Sequence, residues 1–258
     1  MNVLIVTAYK DINRGYWNDE WNRPKDTYIS WFINMIAIKN QNIVCFCEED
    51  VKNDIIKRLD GTLPSHLKLL DIELNDTLFI NYEKEKEIME SAYFINLLKD
   101  RREQNRNPEF CKPEYTCITN SKSMFLRRAS NMFNNYTHYA WMDFGFIRQT
   151  PPINLNWNCL NDNKIHIATF KNILQDENIT PIFALQSWDD FVQGGVLFVP
   201  KYLIEWLETV YKIQINIHYS LGITDDDQGI MLQIIQKYRN NFTLHISKQW
   251  FAMLHVLV

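Results

Sequence analysis

Three short apolar runs without alternation, Val3 to Ala8, Ile43 to Cys47 and Leu67 to Ile72, are separated by two amphipathic stretches. This pattern constrains the fold more than any other feature of the chain. Unbroken apolar runs of such length read as strands buried on both faces. Between the first two runs, Tyr28, Trp31, Phe32, Met35 and Ile36 recur at helical spacing, and Asp26 or Thr27 stands ready to cap a helix through about Lys39. Between the second and third, Glu48-Glu49-Asp50 suits a helix N-terminus better than a metal site, and Val51, Ile55 and Leu59 form the apolar stripe. Residues 1–75 therefore read β-α-β-α-β, which argues for an α/β fold on a mainly parallel central sheet flanked by helices.

The remaining chain continues the alternation. A helix is predicted from Glu83 to Arg102, with Arg101-Arg102 solvated, then a loop from Asn105 to Tyr115 and a helix from Thr119 to Asn134. Strands are predicted up to Met142, from Ile165 to Phe170, from Ile182 to Leu185, after Gly194-Gly195, and from Thr243 to Ile246. Helices are predicted from Tyr202 to Ile215 and after Thr224. No internal repeat, low-complexity segment or linker interrupts the 258 residues, so a single domain over 1–258 is expected. A net charge of -4 with mixed signs implies no basic surface for nucleic acid. No run approaches the roughly 18 apolar residues of a membrane span, and Met1 to Thr7 lacks the features of a secretory signal. Five cysteines without zinc spacing read as buried thiols in a reducing cytosol.

The seven glycines are few enough to make their positions informative. Gly145 closes Tyr139-Ala140-Trp141-Met142-Asp143-Phe144-Gly145, an apolar run that ends in a carboxylate. An Asp there sits at the carboxyl edge of the sheet, where open α/β sheets bind ligands. It is either a turn former or a ligand contact. One carboxylate in this position can hold a divalent cation that also meets substrate phosphates. Asp225-Asp226-Asp227-Gln228 forms a second acidic site. One of its members serves as a helix cap, with Thr224 or Asp225 as the candidate N-cap; any other can act as base, nucleophile or acceptor-orienting group. His245, near a strand, is either a structural histidine or a metal ligand. The loop Tyr9 to Gly15 follows the first strand without a G-x-G-x-x-G or Walker pattern. Asp143-Phe144-Gly145 spells the kinase metal motif, but no glycine-rich loop or H-R-D sequence accompanies it.

Taken in order, the Thr-Ala-Tyr-Lys-Asp-Ile-Asn-Arg start, Ser121-Lys122, Ala-Trp-Met-Asp-Phe-Gly, Gln-Gly-Gly-Val-Leu-Phe-Val, Asp-Asp-Gln-Gly and a late Leu-His…Trp-Phe resemble the HtrL/YibB family of bacterial proteins. Its members look like GT-A glycosyltransferases, and the order is also similar to retaining GT-A enzymes of lipopolysaccharide synthesis. The resemblance implies a single GT-A (Rossmann-like) domain, with residues 1–135 as a nucleotide-binding half and 136–258 as a metal and acceptor half. It implies that Thr7, Ala8, Tyr9, Asp11 and Arg14 contact the base and ribose of a nucleotide sugar. Lys122 would reach the sugar or diphosphate, and Gly194 and Gly195 would lie beneath the donor sugar. Asp143 would hold Mn²⁺ or Mg²⁺ with His245, although Gly145 stands where the second Asp of an Asp-x-Asp motif is expected. Asp226, Asp227 and Gln228 would hold the acceptor and the catalytic group.

The expected activity is transfer of a hexose from a nucleotide sugar, UDP-linked, to a bacterial surface-polysaccharide acceptor. That acceptor is expected to be a glycan or lipid-linked oligosaccharide, met by a cytoplasmic protein with at most peripheral contact with the inner membrane. The alternative is a catalytically inactive nucleotide- or glycan-binding protein on the same fold.

Overall fold

The computed structural model describes residues 1–17, 20–72, 81–99, 107–151, 154–174, 179–187 and 189–258. Seven strands form one sheet: β1 (Val3–Tyr9), β2 (Asn42–Cys47), β3 (Leu67–Asp71), β4 (His138–Met142), β5 (Ile165–Thr169), β6 (Val192–Pro200) and β7 (Phe242–Ile246). Their order is β3-β2-β1-β4-β6-β5-β7. All pairings are parallel except those of β6, which runs antiparallel to both β4 and β5. The mainly parallel α/β architecture expected from the sequence is the one observed.

Both faces of the sheet are covered, which is why the strands show no polar alternation. Leu4, Val6 and Ala8 of β1 face one core, with Phe125, Leu207 and Ile234. Val3, Ile5 and Tyr9 face the other, with Phe32, Ile55 and Met253. Helices α1 (Lys25–Ile36) and α2 (Glu49–Arg58) cover the second face. Phe32 is fully buried and stacks on Phe144 with ring centroids 4.3 Å apart. Truncating such a ring to alanine costs about 3–5 kcal/mol.

Beyond α2 the chain forms α3 (Tyr82–Glu90), α4 (Ala92–Leu97), α5 (Pro113–Thr119), α6 (Lys122–Met132), α7 (Pro181–Gln186), α8 (Ile204–Ser220), α9 (Asp227–Lys237) and α10 (Ala252–Leu257). Several expectations are corrected here. The helix from Glu83 is two helices, because Ser91 is extended and caps α4, accepting from Phe94 N–H at 3.1 Å. Arg101-Arg102 lie outside the described residues. The expected loop before Tyr115 contains a 3-10 turn, Pro108–Phe110, and then α5. Each opens on a proline, a favourable first helical residue because its missing N–H is an orphan there anyway. Ile182 to Leu185 is helical, not a strand. Thr180 caps α7, accepting from Phe183 N–H at 3.2 Å, and Pro181 starts it. A four-residue apolar run does not distinguish the two. Nor are all five cysteines buried: Cys45 and Cys47 are, Cys117 is half-buried, and Cys111 and Cys159 are exposed. Among the described residues no helix is long and apolar enough to cross a membrane.

The strand order reverses at β1 and β4. Successive strands step outward from β1 to β2 and β3, while β4 is added on the other side. The crevice outside the carboxyl ends of β1 and β4 is where such a sheet binds ligands. It is entered by the loop after Tyr9 and by Asp143.

Candidate functional site

Asp143 follows β4 directly. Its N–H donates to the Gly195 carbonyl at 2.9 Å, and its own carbonyl accepts from Phe146 N–H at 2.8 Å, which closes the turn. One carboxylate oxygen accepts from the Trp141 indole at 2.7 Å and lies 3.0 Å from Lys122 Nζ. The side chain as a whole is 42% exposed.

Lys122 is the first residue of α6 and is buried. Its ammonium also donates to Asp227 Oδ2 at 2.6 Å and to the Gly194 carbonyl at 2.9 Å. An ammonium has three donors, and three protein oxygens take them. Burial works against the charged lysine, but Asp143 and Asp227 outweigh it and raise its pKa. The Gly194 carbonyl is available because the β5–β6 register jumps from Leu197 to Gln193 across Ile167 and Ala168. A side chain at 194 is excluded: its Cβ would lie 2.0 Å from Asp227 Oδ2. Gly195 is closed by the ring of Phe146, whose atoms would be 2.8 Å from a Cβ. The glycine pair lies within β6 and packs against the Lys122 cluster.

Asp226 is the N-cap of α9, not Thr224 or Asp225 as expected. Its Oδ1 accepts from Gln228 N–H at 2.9 Å and its Oδ2 from the Gln228 amide at 3.3 Å. Thr224 instead donates to Glu85, a buried carboxylate that also accepts from Thr116 at 3.0 Å and Tyr219 at 2.8 Å. Asn120, in the break between α5 and α6, donates to the Asp225 carbonyl at 2.8 Å. The approach to α9 is thus fixed from three sides. Asp227 falls in the first turn of α9 and points at Lys122. Burial pushes its carboxyl up to about 7, opposed by Lys122 and reinforced by Asp226 and Asp143. Its Oδ1 accepts no hydrogen bond among the described residues. Its chain neighbours Asp226 and Gln228 line a small polar cleft of about 50 Å³, together with Glu109, Asp190 and Asp225 among others. One oxygen each from Glu109, Asp225 and Asp226 lie within 4.8 Å of one another.

The opposite side of the site is basic and aromatic. Arg14 lies over the rings of Trp17, Tyr28 and Tyr115, at 5.2, 5.8 and 5.6 Å from their centroids, and donates to the Tyr28 hydroxyl at 2.7 Å. Arg148 lies over Trp31 at 4.8 Å. Tyr28 is raised by burial, and its phenol feels Arg14, Arg23, Asp143 and Arg148 together. Tyr115 feels Asp226, Arg14 and Asp227, so it stands between the two sides.

Of the residues singled out in the sequence, the structure brings Lys122, Asp143, Gly194, Gly195 and Asp227 together. Arg14 adjoins them through Tyr28, and Asp226 and Gln228 adjoin them through α9. Thr7 is fully buried and its hydroxyl is enclosed, while Ala8 and Tyr9 are buried in β1, Tyr9 against Phe144. Of that group only Asp11 and Arg14 lie beyond the end of β1, in the loop that follows it; Asp11 N–H donates to Glu48 at 2.9 Å. His245 is not near Asp143. Its Nε2 is 3.0 Å from His166 Nδ1, and His166 is paired with Asp162 at 2.7 Å. It lies on β7, three strands from β4, or about 14 Å at the usual strand spacing. Nor does position 145 admit a carboxylate, since a Cβ there would lie 2.8 Å from both Trp31 and Tyr28. The residues around Asp143 therefore do not fit the divalent cation expected there: its partners are a lysine and an indole. Arg23, Arg148, Tyr115 and Glu109 were not singled out from sequence, for they converge only in the fold.

The family model described as a bacterial protein of unknown function (HtrL_YibB) matches residues 1–258. Protein HtrL of Escherichia coli (strain K12) is 30% identical over 269 residues, covering 98% of this chain and 91% of that protein. A crystal structure of a glycosyltransferase involved in the glycosylation of the major capsid of PBCV-1 aligns with a TM-score of 0.43 at 9% identity, over 95% of this chain and 82% of that one.

Proposed function

The chain belongs to the HtrL_YibB family, and from that premise we propose that it transfers a hexose from a UDP-linked sugar to a glycan or lipid-linked oligosaccharide acceptor. The observation that carries this reading is the placement of Asp227. It is a nearly buried carboxyl, pushed up to about 7, held by the same lysine that meets Asp143 at the carboxyl end of β4, and its chain neighbours Asp226 and Gln228 line a polar cleft. A base poised near neutral pH is what removal of a hydroxyl proton requires.

In this reading Asp227 Oδ1 receives the proton of the acceptor hydroxyl as that oxygen attacks the anomeric carbon. The nucleoside diphosphate departs with the electron pair of the broken bond. Lys122 holds Asp227 in place and keeps Asp143 at the mouth of the crevice. Asp226 and Gln228 orient the start of α9, and Asp11 and Arg14 lie where a nucleotide meets the carboxyl edge of β1. Asp227 attacking the sugar itself would make a retaining enzyme, and the anomer of the product separates the two routes. No step is assigned to a metal at Asp143, because the side chains there do not fit one. The polysaccharide acceptor and action at the cytoplasmic face of a membrane belong to the same proposal.

Release of UDP from a panel of UDP-hexoses, without acceptor, tests the reading. Slow release that disappears in Asp227→Asn supports it. Release from none of them by folded protein contradicts it. Binding without release would identify the inactive binding protein, the reading that Gly145 favours.

A further inference from the structure

We propose that Arg14, Arg23 and Arg148 form a metal-independent site for the diphosphate of the donor, in place of the cation expected at Asp143. This rests on the glycosyl-transfer reading and names how that site holds its leaving group.

The three guanidinium groups come from separate segments, after β1, before α1 and after β4. Among the described residues no carboxylate lies within 4.0 Å of any of them. They are held instead by rings and carbonyls. Arg14 is wedged among Trp17, Tyr28 and Tyr115, and its Nε is buried without a partner. Arg23 donates to the Asn22 carbonyl at 3.0 Å and the Glu20 carbonyl at 3.2 Å. Arg148 lies over Trp31 and Phe251 and donates from Nε to the Gly145 carbonyl at 3.3 Å. Burial, Arg23 and Arg14 work against the charge on Arg148, opposed by Tyr28 and Asp143. Like charges gathered with no carboxylate in contact are destabilising, and a bound anion offsets that cost. The planar fork of arginine matches phosphate oxygens.

Position and elimination point to a diphosphate. The arginines surround Tyr28 at the mouth where Asp143 emerges, in the crevice where a sheet of this order takes its ligand. Lys122, the other cation there, has committed its three donors. Position 145, where a second metal-binding carboxylate belongs, is filled by Tyr28 and Trp31. These are two of the rings that carry the arginines. The chain has built its basic wall in the space a metal site would need.

Calorimetric titration with UDP, inorganic pyrophosphate and uridine, first in EDTA and then with Mn²⁺, tests this on wild type, Arg148→Gln and Arg148→Lys. Arg148 is exposed, so its variants are expected to fold, and thermal melts check that; Arg14→Gln disturbs three rings and serves as a second variant. UDP and pyrophosphate are expected to bind in EDTA. Arg148→Gln should weaken both roughly tenfold or more, leave uridine unchanged and be partly rescued by lysine. UDP binding that appears only with Mn²⁺, or that ignores the Arg148 change, would overturn the proposal and leave glycosyl transfer standing. Pyrophosphate binding without UDP binding would overturn the nucleotide-sugar reading and leave the anion site. No binding of either would overturn both.

Discussion

On the side of the cleft formed by Arg14, Arg23 and Arg148, charge rests on aromatic rings and main-chain carbonyls. On the side formed by Asp225, Asp226 and Asp227, it is fixed by the start of a helix and by a buried lysine. The basic side leaves its guanidinium groups without carboxylate partners among the described residues and open to an incoming anion. The acidic side is enclosed, and burial raises the pKa of Asp226 and Asp227. Lys122 lies on the boundary, between Asp143 and Asp227. The contrast separates two tasks. Cations with no carboxylate in contact suit binding of a charged group from solvent, while a desolvated carboxylate suits proton transfer.

The largest expected effect comes from removing the base. Asp227→Asn should lower the rate of transfer or donor hydrolysis by about 10²–10⁴-fold, with UDP affinity nearly unchanged. A loss of affinity instead would place Asp227 on the binding side. Breaking the boundary comes next. Lys122→Ala leaves buried carboxylates uncompensated and should cost about 3–5 kcal/mol of stability, measured by urea unfolding. An unchanged midpoint would show that the cluster is already neutral.

Gly145→Asp would restore the missing carboxylate on paper. Because its Cβ meets Trp31 and Tyr28 at 2.8 Å, it should destabilise the fold by about 1–3 kcal/mol and confer no response to Mn²⁺. A variant that gains Mn²⁺-dependent activity would contradict the account of that wall.

A further effect is one of pH. The folded Asp227 carboxyl, with a pKa near 7, binds its proton more tightly than the unfolded one, near 4. Between those values the folded state carries more protons, so stability should fall as pH rises through that window. Asp227→Asn should flatten the slope, and chemical denaturation at several pH values reads it.

The sheet was legible in the sequence because strands buried on both faces carry an unmistakable apolar signature. Val3 to Ala8 and Ile43 to Cys47 became β1 and β2 nearly residue for residue. The acidic half of the site was legible for a similar reason, since Asp225-Asp226-Asp227 is contiguous and announces a helix start. The basic half was not. Of Arg14, Arg23 and Arg148, only Arg14 stands out in the sequence, as a base or ribose contact implied by the resemblance; Arg23 and Arg148 each read alone as an ordinary surface charge, and Arg148 is far away in the chain. Gly145 drew notice as a missing carboxylate, whereas the structure shows a glycine required by two rings. His245 misled for the opposite reason. A late histidine fits a metal ligand by order along the chain, but its partner is His166 on the adjacent strand. Ile182 to Leu185 shows the limit of periodicity, for the Thr-Pro ahead of it was the better guide to a helix.

The most direct measurement is a crystal structure of the protein with UDP grown in EDTA. The diphosphate is expected within hydrogen-bond reach of Arg148 and Arg14, beside Asp143, with Lys122 still bound to Asp143 and Asp227. UDP seated instead against Glu109, Asp225 and Asp226, or a diphosphate that appears only when Mn²⁺ is added, would contradict that expectation.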